Sequence, residues 1–529
     1  MRKIISIVLS FAFFTAVFTA CGTRQTSEEG QVEITGITLS DDGILVGGSS
    51  ASTDTSSAVY VSKDIVFYLE DQGADYGEGE TDEQHSQAEA DRHTVINITR
   101  PGNYMVSGSI SRGQIAVNLG ETAKKDPDAV VNIILNDTEI TCTVAPAIIC
   151  YSAYECGDDN PDMATKDVDT SGAGFNITLA DESVNIINGS HVAKIYKPGT
   201  EDKLHKYDAA IESLVSMNIN SENGFLNLVS DNEGIETKMH MTINGGTLNI
   251  KSADDALNAG EDGVSVITVN NGTVWADSNK GVEGDGIDSN CWLVINGGTV
   301  YAFGNSDSMD SGLDSDMGIY INGGTVLATG NMYDEISKES TQNFAVFSFA
   351  QPVGYDESVI LKSLNDNSLT LLRGTAKGSV MVYSSPQLAE GDYELYFADG
   401  YTGGGEVGVF TGISNLAGET QLAHSGMAGG FGGRQPMDNF KDIPFDGQWL
   451  DRPIPDRGAP PQDFGGQKPQ FDIEKIHPDG PENHQFNPED FSSSQPPAFQ
   501  GDKASAAQPV FTIVKGGNNF SGIAEYTAE

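Results

Sequence analysis

A five-residue phrase that returns at a constant interval constrains this chain more than any other feature. Residues 243–247 read Ile-Asn-Gly-Gly-Thr, and related phrases begin at Val269, Ile295 and Ile321, each 26 residues after the last. A constant period in this range is typical of repeat architectures, in which each unit stacks on its neighbours. A short alternating apolar run follows each phrase, which predicts a β-strand, a tight turn and another strand in every unit.

The repeat predicts an all-β fold, a parallel β-helix (solenoid) in which each 26-residue unit is one coil. One position of the phrase always carries an asparagine, and these side chains should stack and share amide hydrogen bonds from coil to coil. They are Asn244, Asn270, Asn296 and Asn322. Their predicted role is structural. Less regular strand patterns lie upstream and downstream, so the solenoid is expected over residues 34–424.

The first residues predict export and a membrane anchor. Arg2 and Lys3 precede an apolar run that ends at Ala20, the pattern of a signal peptide at residues 1–20. The small residues immediately before Cys21 resemble the bacterial lipobox, which implies acylation of Cys21, a stable membrane anchor. An ordinary secretory signal is the alternative. Residues 21–33 are then a polar tether, and the rest of the chain is expected at the cell surface, outside the cytoplasm.

Residues 425–505 differ in composition from the rest of the chain. They contain 12 of the 20 prolines, together with Gly, Gln and Asp, and therefore bury too little apolar surface to order themselves. We expect a disordered insertion or flexible arm there. An apolar run at 510–514 then predicts that residues 506–529 return as a last strand that caps the solenoid.

The net charge of −47 limits the partners of this protein. Nucleic acid and anionic lipid headgroups would be repelled, whereas cations, and polymers reached through cations, would be attracted. The cysteines beyond Cys21 match no zinc spacing. A disulfide among Cys142, Cys150 and Cys156 and buried free thiols both remain open.

A second repeated phrase places acids at one position of each coil. It combines a small residue, an aliphatic residue and usually an acid, as at 210–213, 234–237 and 286–289. The aliphatic side chain should face the core and the acid the outside. Residues 206–330 hold 18 acids and 4 lysines, and the acids beside this phrase should form a column because neighbouring coils lie about 4.8 Å apart. The candidate metal ligands are Glu233, Glu236, Asp254, Asp255, Glu283, Asp285, Asp288, Asp310, Asp314 and Asp316.

Carboxylates at this density suit Ca²⁺, which takes roughly 6–8 oxygen ligands. A solvated acidic face screened by salt is the alternative. Asp254 and Asp255 also form a carboxylate pair, as in glycoside hydrolysis, but the Gly-His-Gly and Arg-Ile-Lys elements of a galacturonan hydrolase do not occur. A lyase would need a base, and residues 206–330 contain no arginine. The only candidate bases there are Lys206, Lys238, Lys251 and Lys280. We therefore expect a binding protein rather than an enzyme.

Aromatic residues just after the phrase predict a carbohydrate-binding platform. Trp275 and Tyr301 occupy equivalent outward positions one coil apart, and Phe303 follows two residues later. Exposed, adjacent rings along a sheet would offer flat surfaces on which sugar rings stack. Cross-strand packing, or cover by a loop, is the alternative.

Over roughly residues 34–415 the chain resembles the clostridial calcium-binding, right-handed parallel β-helix family known as carbohydrate-binding domain proteins. The Ile-Asn-Gly-Gly-Thr coils, the Asp-Gly-Ile-Asp-Ser turn at 285–289 and the runs at 96–108 and 132–136 carry the resemblance. It implies a non-catalytic surface protein that binds cellulose or polygalacturonate, with Ca²⁺ at the acidic turns. The alternatives are a β-helix lyase or hydrolase acting on pectic polymers, and an adhesin or spacer that binds through residues 425–505.

Overall fold

The computed structural model describes residues 33–72, 77–78, 81, 83–196, 203–354, 357–427 and 507–526. The predicted signal peptide, Cys21, the tether up to residue 32 and the arm beyond its first three residues lie outside the described residues. The fold is all-β, with a short α-helix at Gln87–Ala90 and 3-10 turns at Ala123–Lys125 and Pro161–Met163. No helix in the described ranges is long and apolar enough to cross a membrane.

Three ladders of hydrogen-bonded parallel strands build the chain up to residue 330. The first ladder carries the small-aliphatic-acid phrase and begins with an antiparallel strand, Val59–Ser62. Its parallel strands are Thr94–Ile98, Gly113–Asn118, Ile148–Ser152, Ala209–Ser213, Glu233–Thr237, Leu257–Ala259 and Ile287–Ser289.

The second and third ladders flank the Asn-Gly-Gly turns. The second consists of Ile34–Leu39, Gly102–Ile110, Val131–Thr141, Phe175–Leu179, Met217–Asn220, His240–Ile243, Val266–Val269, Trp292–Ile295 and Gly318–Ile321. The third continues from the end of Val131–Thr141 through Val184–Gly189, Phe225–Ser230, Thr247–Lys251, Thr273–Asp277, Thr299–Phe303 and Thr325–Gly330.

The strand register confirms that the 26-residue period is the period of the coils. Ile243 pairs with Val269, which pairs with Ile295, which pairs with Ile321, all in parallel. All four side chains are fully buried. Because successive side chains of a strand alternate between its faces, this register stacks one apolar column inside the ladders. Each such side chain stabilises the fold by about 1.5–3 kcal/mol relative to exposure.

The predicted asparagine ladder is present and is one coil longer than the repeat suggested. The Nδ2 groups of Asn270, Asn296 and Asn322 each donate to the Oδ1 of the preceding asparagine at 2.9–3.0 Å. Asn244 donates in the same way to Asn220 at 2.9 Å. The turn also needs glycine: Gly272 has φ +94°, and a Cβ there would lie 2.6 Å from a backbone oxygen of the coil above.

Replacing Asn270 with alanine is expected to lower the free energy of unfolding by about 1–3 kcal/mol, because Asn270 donates one ladder hydrogen bond and accepts another and each contributes about 0.5–1.5 kcal/mol. Chemical denaturation would measure the loss. Asn249→Ala is the control, because Asn249 donates one long bond of 3.3 Å on the third ladder. Equal losses at the two positions would contradict a special role for the ladder.

The parallel ladders end at Thr325–Gly330, well before residue 424. There the next partner, Gly378–Ser384, runs antiparallel and covers the last edge of the third ladder. The remaining strands form a largely antiparallel C-terminal region with a separate core that includes Phe347, Phe511 and Phe520. Its other strands are Phe344–Val353, Val359–Ser363, Leu369–Arg373, Gly391–Phe397, Gly400–Thr402, Gly408–Thr411, Ser414–Ala417, Thr420–Ala423, Gly426–Met427, Phe511–Ile513 and Asn518–Glu525.

The apolar run at 510–514 contains the strand Phe511–Ile513, which pairs with Gly391–Phe397 in this C-terminal region. Asn518–Glu525 follows it and pairs in parallel with Phe344–Val353. The end of the chain therefore packs on the antiparallel region rather than on a coil of the ladders.

Short strands lie on the outside of the ladders. Leu45–Val46 pairs antiparallel with the first strand of the second ladder, and Ser49–Ser50 pairs antiparallel with Leu45–Val46. Val192–Tyr196 pairs antiparallel with Lys203–Tyr207, and Gly77–Glu78 joins the same small sheet. We call Val192–Tyr196 and Lys203–Tyr207 the covering hairpin.

The four described cysteines are free thiols. Cys142, Cys150 and Cys291 are buried, and Cys156 is partly buried. Burial raises the pKa of Cys150 to about 12, so this thiol is unreactive at neutral pH.

Candidate functional site

The acids of the second phrase stand in register on the first ladder, as predicted. Glu212 pairs with Glu236, Glu236 with Asn258, and Asn258 with Asp288. A bridge from Ile287 to Leu313 continues the register toward Asp314. The aliphatic residue that precedes each acid or amide is fully or almost fully buried, which confirms its predicted inward position.

The first acids of this column do not face outward into solvent, although the sequence predicted that they would. Glu212, Glu233 and Glu236 are only 2%, 4% and 7% exposed. Tyr207 of the covering hairpin packs edge-on against Tyr151, with ring centroids 5.5 Å apart, and lies near Glu212. Burial, followed by the charges of Glu236 and Asp208, raises the pKa of Glu212 well above its usual range. Screening by salt cannot reach charges buried in this way.

Three carboxylates, those of Asp208, Glu233 and Glu236, form what we call the upper triad: one oxygen from each lies within 4.8 Å of the other two. The Oε2 atoms of Glu233 and Glu236 are buried and have no hydrogen-bond partner in the described part of the chain. Asn258 donates to Glu233 Oε1 at 3.1 Å, while its own Oδ1 is also buried without a partner. Three buried oxygens of this region, Glu233 Oε2, Glu236 Oε2 and Asn258 Oδ1, therefore have no hydrogen-bond donor among the described residues.

A second group, the lower triad, consists of Asp285, Asp288 and Asp314, and again one oxygen from each residue lies within 4.8 Å of the other two. Burial and then the Asp288 charge raise the pKa of Asp285 to about 8. Burial and then Asp316 and Asp334 raise the pKa of Asp288 to about 7. Within the described ranges, no ion pair joins a member of the lower triad to a basic residue.

Asp334 is a neighbour of the lower triad that the sequence did not reveal. It lies beyond the last repeated phrase, accepts a hydrogen bond from the Ser315 backbone amide at 3.0 Å, and contributes to the raised pKa of Asp314. Glu212 and Asp208 lie inside the acidic column, but only their geometry shows how closely they approach Glu236. A periodic signal could not have identified Asp334, because it lies outside the period.

The other predicted ligands differ in their surroundings. Asp255 and Asp310, like Asp285 of the lower triad, each accept a backbone N–H bond from a neighbouring coil at 2.5–2.6 Å, which helps to fix the turns. Asp254 lies between the triads, and burial followed by the Glu283 charge raises its pKa to about 6. Glu283 and Asp316 are exposed and stand at the rim of the lower triad.

These carboxylates cannot all be ionised without a compensating cation. Two unit charges 4.8 Å apart repel by about 3 kcal/mol at an effective dielectric constant of about 20. Each triad contains three, and the upper triad also has buried oxygens without a donor. A divalent cation with oxygen ligands fits this donor set, because Ca²⁺ accepts carboxylate and amide oxygens in flexible geometry.

The aromatic residues do not form the flat, exposed platform that the sequence predicted. Trp275 and Tyr301 are adjacent, but their rings meet edge to face at 81°, 5.2 Å apart. Phe303 is fully buried. Tyr301 packs against the C-terminal region, where its hydroxyl accepts a 3.4 Å bond from the Val409 amide. Tyr301 and Phe303 therefore take part in packing that another segment covers, which is the alternative that the sequence left open.

A polar groove lies beside the asparagine ladder instead. Residues 166–171 form one wall, and the cavity holds about 240 Å³. Thr170 braces this wall through hydrogen bonds to Asn218 and Thr242 at 2.7 and 2.6 Å. Exposed amides of the ladder and the Thr268 hydroxyl form the other wall. These uncharged groups can hydrogen-bond the hydroxyls of a neutral sugar.

His191, immediately before the covering hairpin, ties it to the ladders. Its Nδ1 lies 3.1 Å from Asp231 and its Nε2 3.5 Å from Glu83. Burial alone lowers the pKa of His191, but the hydrogen bonds to Asp231 and Glu83 outweigh burial and raise the pKa to about 10. His191 is therefore cationic at neutral pH and is held between two carboxylates.

Replacing His191 with glutamine is expected to lower the melting temperature at pH 7, because two partly exposed carboxylates, Asp231 and Glu83, lose the cation between them. The folded pKa lies above the unfolded one, so this stabilisation is full below about pH 6.5 and disappears as the pH rises through about 10. Melting curves of both proteins across this range would measure it. His205→Gln is the control, since no ion pair of His205 is found among the described residues. A gap between the wild type and His191→Gln that stays constant up to pH 11 would contradict the assignment.

Comparison with known proteins supports a carbohydrate-related class. A family model described as carbohydrate-binding domain-containing protein matches residues 92–157 and 159–345, which include the three ladders around both triads. No functionally curated protein matches the sequence. The chain is also similar to a solved structure, a polysaccharide lyase-like protein from C. thermocellum in a gadolinium derivative. The match has 19% identity and a TM-score of 0.32, covering 55% of this chain and 89% of that one. This likeness is too distant to decide fold or activity.

Proposed function

We propose that this chain is a non-catalytic, lipid-anchored surface protein that binds plant cell-wall polysaccharide through Ca²⁺ held on a right-handed parallel β-helix. Cys21 would carry the anchor, and the three ladders up to residue 330 would form the coils. The observation that carries the proposal is the pair of carboxylate triads, of which the upper one has buried oxygens that lack a donor, inside the segment that matches a carbohydrate-binding family.

The lower triad is the proposed contact with the polymer. Asp285, Asp288 and Asp314 would hold the ion, and backbone carbonyls and water would complete its coordination. The exposed rim at Glu283 and Asp316 leaves this end of the column open to solvent. An anionic polymer such as polygalacturonate would otherwise be repelled by a protein of net charge −47, and a shared Ca²⁺ removes that repulsion. Cellulose, which is neutral, would instead use groups such as those of the polar groove.

A pectic lyase is the second candidate, because Lys206 lies beside the upper triad, where such an enzyme would place its base. Its Nζ is 2.9 Å from Asp208 Oδ2. Burial alone lowers the pKa of Lys206, but the charges of Glu236 and Asp208 outweigh it and raise the pKa above its ordinary value. A general base must be unprotonated near the working pH. This lysine is held in its charged form, which favours binding over catalysis.

The test is a calcium titration of the full chain by calorimetry, with and without polygalacturonate, while the polymer is assayed for cleavage. Calcium-dependent retention of intact polymer is the expected result. An unsaturated product or new reducing ends would instead establish the lyase or hydrolase. Deleting residues 428–505 should leave retention unchanged. Loss of retention in that variant would favour an adhesin that binds through the arm.

A further inference from the structure

The two triads differ in one respect that the sequence repeat conceals. Lys206, at the end of the covering hairpin, reaches the upper triad: its Nζ lies 2.9 Å from Asp208 Oδ2 and 3.9 Å from Glu236 Oε1. The lower triad has no ion pair with a basic residue among the described residues. Lys206 is thus a cation attached to the chain at the place where the upper triad would hold a metal.

The lysine cannot satisfy the upper triad by itself. Three carboxylates face one ammonium, and the Oε2 atoms of Glu233 and Glu236 stay buried without a partner. Glu212, 2% exposed, adds a further carboxyl next to Glu236. The upper triad therefore still favours a cation, but a metal ion that enters must share its oxygens with the ammonium or displace it.

We propose that Lys206 determines which triad binds the metal: it acts as a tethered competitor at the upper triad, so that Ca²⁺ fills the lower triad first. This inference rests on the proposed calcium function. A metal at the upper triad would push the ammonium away from Asp208 and Glu236. Because Lys206 belongs to Lys203–Tyr207, that displacement would loosen the edge of the covering hairpin and expose Tyr207.

The consequence is an ordered response to calcium. At low concentration the ion would occupy the lower triad, near the exposed Glu283 and Asp316, where a polymer can share it. At higher concentration the upper triad would fill and the covering hairpin would shift. Before calcium is present, the positive charge of Lys206 therefore offsets part of the negative charge of the upper triad, which allows this buried part of the column to fold.

Calorimetric calcium titration of the full chain as wild type, Lys206→Met and Lys206→Arg tests the proposal. In Lys206→Met, the affinity of a second binding event should rise on the order of tenfold or more over the wild type, which corresponds to about 1.4 kcal/mol. Lys206→Arg should resemble the wild type. Lys238→Met is the matched control, since Lys238 pairs with Glu261 at the surface and its side chain is 55% exposed.

Selective acetylation of lysines, read by mass spectrometry, keeps the test independent of how well the methionine variant folds. In the wild type, Lys206 should react slowly without calcium and several-fold faster at saturating calcium, whereas Lys362, which pairs with Glu394 in the C-terminal region, should not change. This proposal alone would be overturned if Lys206→Met bound calcium normally but the affinity of its second binding event equalled that of the wild type. It would also be overturned if the wild-type Lys206 were as protected from acetylation at saturating calcium as it is without calcium. Absence of calcium binding in every variant would instead overturn the proposed function.

Discussion

Calcium is expected to raise the melting temperature of this protein, and to raise it much more at pH 8 than at pH 5. One site filled at 100 times its dissociation constant adds about 2.7 kcal/mol to the free energy of unfolding. At pH 5 protons already neutralise part of the column, because the pKa values of Asp254, Asp288 and Asp285 are raised to about 6, 7 and 8. Calcium must then compete with those protons.

The calcium-free protein should show the opposite dependence on pH. These folded-state pKa values lie above the unfolded value of about 3.9, so the folded chain binds more protons than the unfolded chain between about pH 4 and 8. Stability without metal therefore falls as the pH rises through this window. Scanning calorimetry at pH 5, 6.5 and 8, with chelator or with calcium, would measure both trends.

Two controls separate a metal site from general screening. Sodium chloride at equal ionic strength reports the screening of exposed charges. Magnesium reports coordination, because it demands a tighter octahedral geometry than Ca²⁺ and should give the smaller shift. If sodium chloride reproduces the calcium effect, the triads are only an acidic surface. A metal-free melting temperature that does not fall toward pH 8 would contradict the raised pKa values.

Replacing Asp288 with asparagine is expected to stabilise the calcium-free protein at pH 8 while it weakens calcium binding at least tenfold. Asparagine has nearly the same shape, so the change removes one charge from the lower triad. Ionising Asp288 costs about 1.4 kcal/mol for each unit by which its pKa is raised, and a rise from 3.8 to about 7 corresponds to roughly 4 kcal/mol. The variant avoids that cost, but it loses a metal ligand.

Denaturation with chelator and calorimetric titration of the same variant would measure these two effects. Asp307→Asn is the matched control, because Asp307 is exposed in the turn that follows Thr299–Phe303 and should change neither quantity. If Asp288→Asn destabilised the calcium-free protein, Asp288 would be serving as a hydrogen-bond acceptor rather than as one of three crowded charges. If it stabilised the protein without weakening calcium binding, the metal would have to lie elsewhere.

The features that repeat follow from the amino-acid sequence alone. Ile243, Val269, Ile295 and Ile321 share one register because the chain returns to the same position every 26 residues. The same period stacks the asparagines and brings Glu236 and Asp288 into one column. Periodicity is local information, since each coil needs only its neighbour, and the all-β fold with long parallel ladders could therefore be predicted.

The segments that cover those repeats are known only from the folded structure. Tyr207 of the covering hairpin packs against Tyr151, Lys206 reaches Glu236 of the next coil, and the C-terminal region packs on Tyr301. Asp334 joins the lower triad from outside the period. These contacts join segments far apart in the chain through loops of irregular length, and no periodic signal specifies which surface such a segment will cover. A repeat fixes the spacing of charges along a column, whereas burial by non-repeating segments fixes whether those charges are solvated, neutralised by a lysine or left to bind a metal.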